Sequence, residues 1–247
     1  MKIFDSIFKK DESDTHNEKV DNIVEILFSK RLNLKQRHGL LIGTSGSGKS
    51  LACQMEIENI IKRTNDKVII LNDDTDYKQF SENYEDVEYV EYYDKNFSFE
   101  NHLSTESRVT IIEASNRDID INKAMDYMIK KMKFNKANNE STWLYLDVID
   151  IIYDKEIFFN LIYQCNENDG YLTIVDFDVE ECIAKLSSRN INQFFEYIRI
   201  FVLLRRNDVL NKLAERLSID SSHLDFDSVE NSYVIIGNEH SLINHVI

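Results

Sequence analysis

Eight consecutive residues, Gly43-Thr44-Ser45-Gly46-Ser47-Gly48-Lys49-Ser50, carry the spacing G-x-x-x-x-G-K-S. Glycines at this spacing let the backbone curl until successive N–H groups point at one place, which makes a cradle for anionic oxygens. The chemistry such a cradle serves is the holding of a phosphate chain. Lys49 would reach the β- and γ-phosphates of a nucleoside triphosphate, and the Ser50 hydroxyl would bind Mg²⁺. The expected nucleotide-contacting set is therefore Gly43, Thr44, Ser45, Gly46, Ser47, Gly48, Lys49, Ser50 and Leu51, with ATP and Mg²⁺ as the cofactors. The chain has only six glycines, and four of them stand at positions 39, 43, 46 and 48. The alternative is a loop that keeps its shape and binds nothing.

A phosphate loop needs a carboxylate partner for its Mg²⁺, usually an acidic residue that ends an apolar strand. Leu144-Tyr145-Leu146-Asp147 has that form, so Asp147 is expected to meet the ion through water. The competing reading of Asp147 is a helix-capping or surface carboxylate. Val148 follows it, and a valine can neither accept a proton nor orient an attacking water. Asp76 and Asp150 are the nearby carboxylates left to act as a substitute base.

The elements that must position these residues alternate along the chain. Leu40 to Ile42 is a short apolar strand before the loop. Leu51 to Arg63 follows as a helix with Leu51, Met55, Ile60 and Ile61 on one side. The continuous apolar run Val68 to Leu71 reads as a strand buried on both faces. Val87–Tyr92, Val109–Ile112, Trp143–Leu146, Leu172–Val175, Ile198–Leu204 and Tyr233–Gly237 read as further strands, with a last short one near Leu242 to Ile247. Ile121, Ala124, Met125, Met128, Ile129 and Met132 follow the helical period, with Asp118 or Asp120 as cap. Asp154 opens a helix through Cys165, Val179–Leu186 is another, and Asp208 caps one through Leu217. This alternation predicts an α/β fold with a doubly wound, mostly parallel sheet and helices on both faces, of the P-loop NTPase type. Lys49, Asp76, Asp147 and Asp176 then fall at or beyond the carboxyl ends of strands, where ligands sit in such sheets. Residues 1–22 read as a flexible lead-in, and 23–247 as one P-loop NTPase domain.

Composition narrows the partners. At 247 residues the chain can bury one large core. Its net charge of −15 disfavours a broad DNA-binding surface, because non-specific DNA affinity comes from Lys and Arg neutralising phosphates. The basic clusters Lys30-Arg31-Lys35-Arg37 and Lys130-Lys131-Lys133-Lys136 read as solvated faces. No apolar run approaches the ~18 residues that span a bilayer, and Met1 to Asp5 are not expected to open a signal peptide, since acidic residues follow at once. Cys53, Cys165 and Cys182 are scattered and read as buried thiols of a reducing compartment. The expected location is the cytoplasm, with Ile3, Phe4, Ile7 and Phe8 offering either a docked tail or a short membrane-touching turn at the inner face. Proline is absent, which reads as compositional bias.

Several stretches, taken in order, resemble the ATPase domain of conjugative-transfer and type IV secretion motors, in the HerA–FtsK branch of P-loop NTPases. His38 to Ser50 is similar to that family's phosphate-loop phrase. Asn72-Asp73-Asp74-Thr75-Asp76-Tyr77 stands where the family has Asp-Pro-Glu-x-Glu-Tyr. Thr142 to Asp147 is similar to its second acidic motif, and Phe201–Leu204, Leu213-Ala214-Glu215 and Tyr233–Gly237 follow its closing pattern. The resemblance covers residue 28 to the end. It implies an ATP-driven motor fold and a homo- or hetero-oligomer with related ATPase subunits or secretion machinery. It also implies four departures. The family's catalytic Glu is Val148, and its Arg-Lys pair is replaced by Asn166-Glu167-Asn168-Asp169. Its γ-phosphate-sensing Thr-Gln is Val175-Asp176, and an Asp has become Asn72. Two functions therefore stand side by side: a hydrolysis-impaired, nucleotide-responsive subunit or regulator, and an active ATPase powering conjugative DNA or protein transfer.

Overall fold

A computed structural model of the chain describes residues 31, 38–43, 48–72, 77–92, 97–114, 121–147, 155–176, 197–198, 200–204 and 233–236. Among the described residues eight strands form one sheet: β1 (His38–Gly43), β2 (Lys67–Asn72), β3 (Val87–Glu91), β4 (Val109–Glu113), β5 (Thr142–Asp147), β6 (Gly170–Asp176), β7 (Ile200–Leu204) and β8 (Tyr233–Ile236). Their spatial order is β3-β4-β2-β5-β6-β1-β7-β8. Every pairing is parallel except that of β7 with β8. The expected doubly wound, mostly parallel α/β sheet is the observed one.

The helices among the described residues are α1 (Lys49–Arg63), α2 (Lys78–Glu82), α3 (Ile121–Ala137) and α4 (Lys155–Glu167). Strand residues alternate between two cores, as the period of two requires. Ile69, Leu71, Leu144 and Leu146 face α3 and α4, packing with Ala124, Met128, Phe158 and Leu161. Val68, Ile70, Trp143 and Tyr145 face the other way, onto Ala52, Cys53 and Ile57 of α1 and Phe80 of α2. Apolar side chains on both faces explain why the β2 and β5 sequences read as unbroken hydrophobic runs.

Helix α1 departs from its expected face. Its buried residues are Lys49, Ala52, Cys53, Glu56, Ile57 and Ile60, whereas Leu51, Met55 and Ile61 are half-buried. The small side chains of Ala52 and Cys53 let the helix approach the sheet, and the two buried charges have partners there. The helix ends at Thr64, whose N–H and hydroxyl both donate to the Ile60 carbonyl, at 3.0 and 2.9 Å. The Arg108 guanidinium donates to the carbonyls of Ile61 and Thr64, at 2.9 and 2.6 Å, satisfying acceptors that a helix end leaves open.

The basic clusters are likewise corrected at one residue each. Arg31 and Lys131 are buried, each about as deeply as the core tyrosines. Lys131 donates to the carbonyls of His102, Leu103 and Thr105 and to the Thr105 hydroxyl, at 2.9–3.0 Å, tying down the chain between β3 and β4. Lys130, Lys133 and Lys136 are exposed, as expected. Cys53 and Cys165 are buried and not joined in a disulfide. The expected lead-in 1–22, the caps at Asp118, Asp120, Asp154 and Asp208, the helices at 179–186 and 208–217, the strand at 242–247 and Cys182 lie outside the described residues. Among the described residues no helix is long and apolar enough to cross a membrane.

Candidate functional site

The carboxyl ends of β1, β6, β5 and β2 lie side by side. Ile42 pairs with Asp176 across β1 and β6, Leu146 with Ile174 across β5 and β6, and Asn72 with Asp147 across β2 and β5. β6 therefore stands between the strand that leads into the phosphate loop and the strand that ends at Asp147. Of the loop itself, Gly43, Gly48, Lys49, Ser50 and Leu51 are described; Thr44, Ser45, Gly46 and Ser47 lie outside the described residues, as do Asp76, Val148 and Asp150.

Gly43 closes β1 and Gly48 opens α1. Gly48 has φ 94° and ψ 19°, a left-handed conformation that a side chain would strain. The Ala52 N–H donates to its carbonyl at 2.9 Å, the first turn of α1. That first turn has no acidic residue and no side-chain cap. Its N–H groups and the positive dipole end lie at the loop, where an anion would be stabilised. Lys49 is buried, and its Nζ donates to the Gly43 carbonyl at 2.7 Å. The ammonium so bridges the two ends of the loop. Ser50 and Leu51 are half-buried just beyond it.

Asp147 is half-buried at the end of β5. The Tyr77 hydroxyl donates to its Oδ2 at 3.2 Å, and Tyr77 shares one buried cluster with Cys53 of α1. Burial pushes the Tyr77 phenol well above its ordinary value, helped by the neighbouring Cys53 and Asp147. Burial likewise raises the Cys53 thiol, with the charges of Asp147 and Glu56 adding to it. Cys53 is thus held as a neutral thiol, unsuited to nucleophilic work. A second layer lies behind. Glu56 of α1 accepts from the Tyr145 hydroxyl at 2.8 Å and pairs with Arg31 at 3.5 Å. Arg31 donates to the Leu172 carbonyl at 3.3 Å and lies over the Trp143 ring, 5.5 Å from its centre.

Sequence reasoning passed over Tyr77's contact with Asp147 and over Glu56; it read Cys53 only as a buried thiol and placed Arg31 on a solvated face. A signal existed for part of this: Cys53 and Glu56 fall on the same helical face as Lys49, at steps of four and three.

The positions where the family pattern fails are distributed over both edges of the sheet. Asn72 is buried beside Asp147, and Asp176 ends β6 next to Ile42. Asn166 lies elsewhere. Its Oδ1 is 3.0 Å from Nε2 of His38, the first residue of β1, at the edge opposite Gly43. Asn168 binds back to the Gln164 carbonyl at 2.7 Å, and Asp169 takes a left-handed turn at φ 54°. Asn166 to Asp169 thus end α4 and start β6.

Among the described residues no group of three or more His, Cys, Asp or Glu could hold a metal ion. A nucleotide-borne Mg²⁺ needs less, since it keeps several waters and takes one or two protein oxygens besides the phosphates. The Ser50 hydroxyl and the half-exposed Asp147 carboxylate are hard oxygen donors of the kind that fits.

No protein-family model matches the sequence, and no curated protein sequence matches it. Solved structures do match the fold. The genome packaging NTPase B204 from Sulfolobus turreted icosahedral virus 2 in complex with AMPPCP superposes with a TM-score of 0.57 at 11% identity, covering 84% of this chain and 95% of that one. The same NTPase in complex with AMP gives 0.56 at 11% identity, over 85% and 98%. The cytoplasmic domain of the Thermomonospora curvata type VII secretion ATPase EccC gives 0.54 at 14% identity, over 85% of this chain and 26% of that one. The fold is that of a RecA-like P-loop NTPase. At such low identity the likeness speaks for the sheet and its helices.

Proposed function

We propose that the chain binds ATP with Mg²⁺ at the carboxyl edge of β1, β6 and β5, and acts as a nucleotide-responsive subunit or regulator with impaired hydrolysis. The observation that carries the binding is the closure of the loop: Lys49 buried against the Gly43 carbonyl at 2.7 Å, with left-handed Gly48 leading into an uncapped helix N-terminus. Phosphates arriving there would accept from the loop and first-turn N–H groups and take the Lys49 ammonium from Gly43. Ser50 and Asp147 would hold the Mg²⁺, which when bound neutralises phosphate charge. The solved NTPase with AMP or AMPPCP bound supports a nucleotide as the ligand of this fold.

Impaired hydrolysis rests on residue identities. Val148 cannot act as a base, and Asp176 sets a carboxylate where a γ-phosphate sensor is expected. Asn166 to Asp169 lack cationic side chains, and Asn166 is engaged by His38. Subunits of a related ATPase or a secretion machine would then supply catalysis in a homo- or hetero-oligomer, in the cytoplasm or at the inner face of a membrane. A second reading, an active ATPase that drives transfer, is favoured by the packaging and secretion roles named for the structural neighbours. It needs Asp76 or Asp150 as the base.

Calorimetry with Mg-ATP tests the binding. Lys49→Ala should weaken it by about ten- to a hundredfold, the range for losing one charge-assisted hydrogen bond. Absence of wild-type binding at millimolar ATP would overturn both readings. Phosphate release then separates them. Turnover near background in the wild type, rising in Val148→Glu, supports the impaired subunit. Robust wild-type turnover lost in Asp76→Ala or Asp150→Ala supports the motor.

A further inference from the structure

Tyr77 stands between two of the elements that would meet a bound nucleotide. It follows β2, is completely buried, and brings its hydroxyl to 3.2 Å from Asp147 Oδ2 at the end of β5. It shares a buried cluster with Cys53, which lies one helical turn beyond Lys49 on the buried face of α1. A phenol carries one proton, and here it goes to the carboxylate. The bond ties the segment after β2 to the strand-end carboxylate. A phenylalanine would fill the same apolar space among Ala52, Phe80 and Trp143. What the hydroxyl adds is a fixed carboxylate.

We propose that Tyr77 is a positioning residue, whose hydroxyl holds the Asp147 carboxylate in the orientation that meets the hydration shell of a nucleotide-bound Mg²⁺. The inference rests on the reading of Asp147 as the Mg²⁺ partner and deepens it. Partners that orient a metal-facing group commonly matter to metal affinity by about ten- to a hundredfold. Tyr77 is such a partner here, and it makes metal recognition depend on how the segment after β2 sits against β5.

The test is calorimetry of the full chain with ATPγS, once with Mg²⁺ and once with EDTA. The ratio of the two affinities is the metal-dependent gain. Tyr77→Phe should leave the EDTA affinity within about twofold of wild type and cut the gain by about tenfold or more. Asp147→Asn should abolish the gain, and adding Tyr77→Phe to it should change nothing further. A Tyr77→Phe protein with the full wild-type gain overturns the positioning role and leaves the reading of Asp147 standing. A wild type without a gain, or an Asp147→Asn protein that keeps it, overturns both. Should Tyr77→Phe fail to melt cooperatively, 3-fluorotyrosine placed at position 77 reads the same contact. Its fluorine resonance should move when Mg²⁺ joins the ATPγS complex and stay still in the Asp147→Asn background. A resonance indifferent to Mg²⁺ in the otherwise native chain overturns the proposal.

Discussion

Gly48 is the residue at which the candidate site is most exposed to a single change. Its φ of 94° is open to glycine at no steric cost, whereas a Cβ there costs roughly 1–2 kcal/mol. Gly48→Ala can relieve that strain by rotating the peptide that leads into α1. Rotation would re-aim the first-turn N–H groups and pull Lys49 from the Gly43 carbonyl. Gly48→Ala should therefore lower Mg-ATP affinity by more than about tenfold, while the far-ultraviolet circular dichroism of the folded chain stays unchanged. An alanine variant that binds as tightly as wild type would show that the turn is not what presents the N–H groups. The glycine and lysine of this turn were legible because their roles are local: a φ value and a reach of a few residues. Tyr77 was legible as a motif residue and not as a partner of Asp147. Seventy residues separate the two, and the register that joins them belongs to the sheet. Asn166 was compared with a cation at the same place in the family pattern; its bond to His38 depends on β1 and β6 being neighbours, which no local pattern states.

At the scale of one element, α1 connects the phosphate loop to the interior. Three of the four apolar residues that drew attention in its sequence are half-buried, and two of its six buried side chains are charged. Counting hydrophobic positions could not reveal this, since the partners that make burial of Lys49 and Glu56 tolerable come from β1, β5 and the segment before β1. The strands were easier to read, because a strand buried on both faces needs nothing beyond its own apolar run. Glu56 pairs with Arg31 and accepts from Tyr145 inside the core. Removing one charge of such a pair strands the other in a dry place, at a cost of about 3–5 kcal/mol. Glu56→Gln keeps an acceptor for Tyr145 and leaves Arg31 unpaired, so its urea midpoint should fall accordingly. Arg31→Met combined with Glu56→Gln should recover most of the loss, since a neutral side chain of similar length no longer needs a counter-charge. Equal destabilisation by the single and double variants would mean that shape, and not charge, is what the position requires.

For the whole molecule, the same buried polar layer sets the response to alkali. The Tyr77, Tyr145 and Cys53 groups are all held well above their ordinary values of 10.0, 10.0 and 9.0, first of all by burial. In the unfolded chain these groups lose their protons near the ordinary values; in the folded chain they keep them. Between the two the folded state holds more protons, so stability declines as pH rises. The contribution is complete below about pH 9 and is lost as pH climbs toward the raised folded values, at up to about 1.4 kcal/mol per pH unit for each group. Lys131 acts in the opposite sense. Burial lowers its value from 10.5, so the unfolded chain is the one that binds the extra proton and rising pH favours folding at that site. Tyr84 and Tyr127 are raised as well, so among the described residues five raised groups oppose one lowered group, and their net effect is alkaline unfolding. The chain also carries a net charge of −15, whose self-repulsion is screened by salt, whereas a buried tyrosine's titration is screened far less. Urea midpoints measured at pH 7.5, 9 and 10.5 should therefore fall steeply above pH 9, with most of the fall surviving in high salt. Tyr145→Phe should flatten the slope by one group's share. A midpoint independent of pH over that range would show that the layer between α1 and the sheet does not set the alkaline response, and a fall that vanishes in salt would assign that response to the acidic surface.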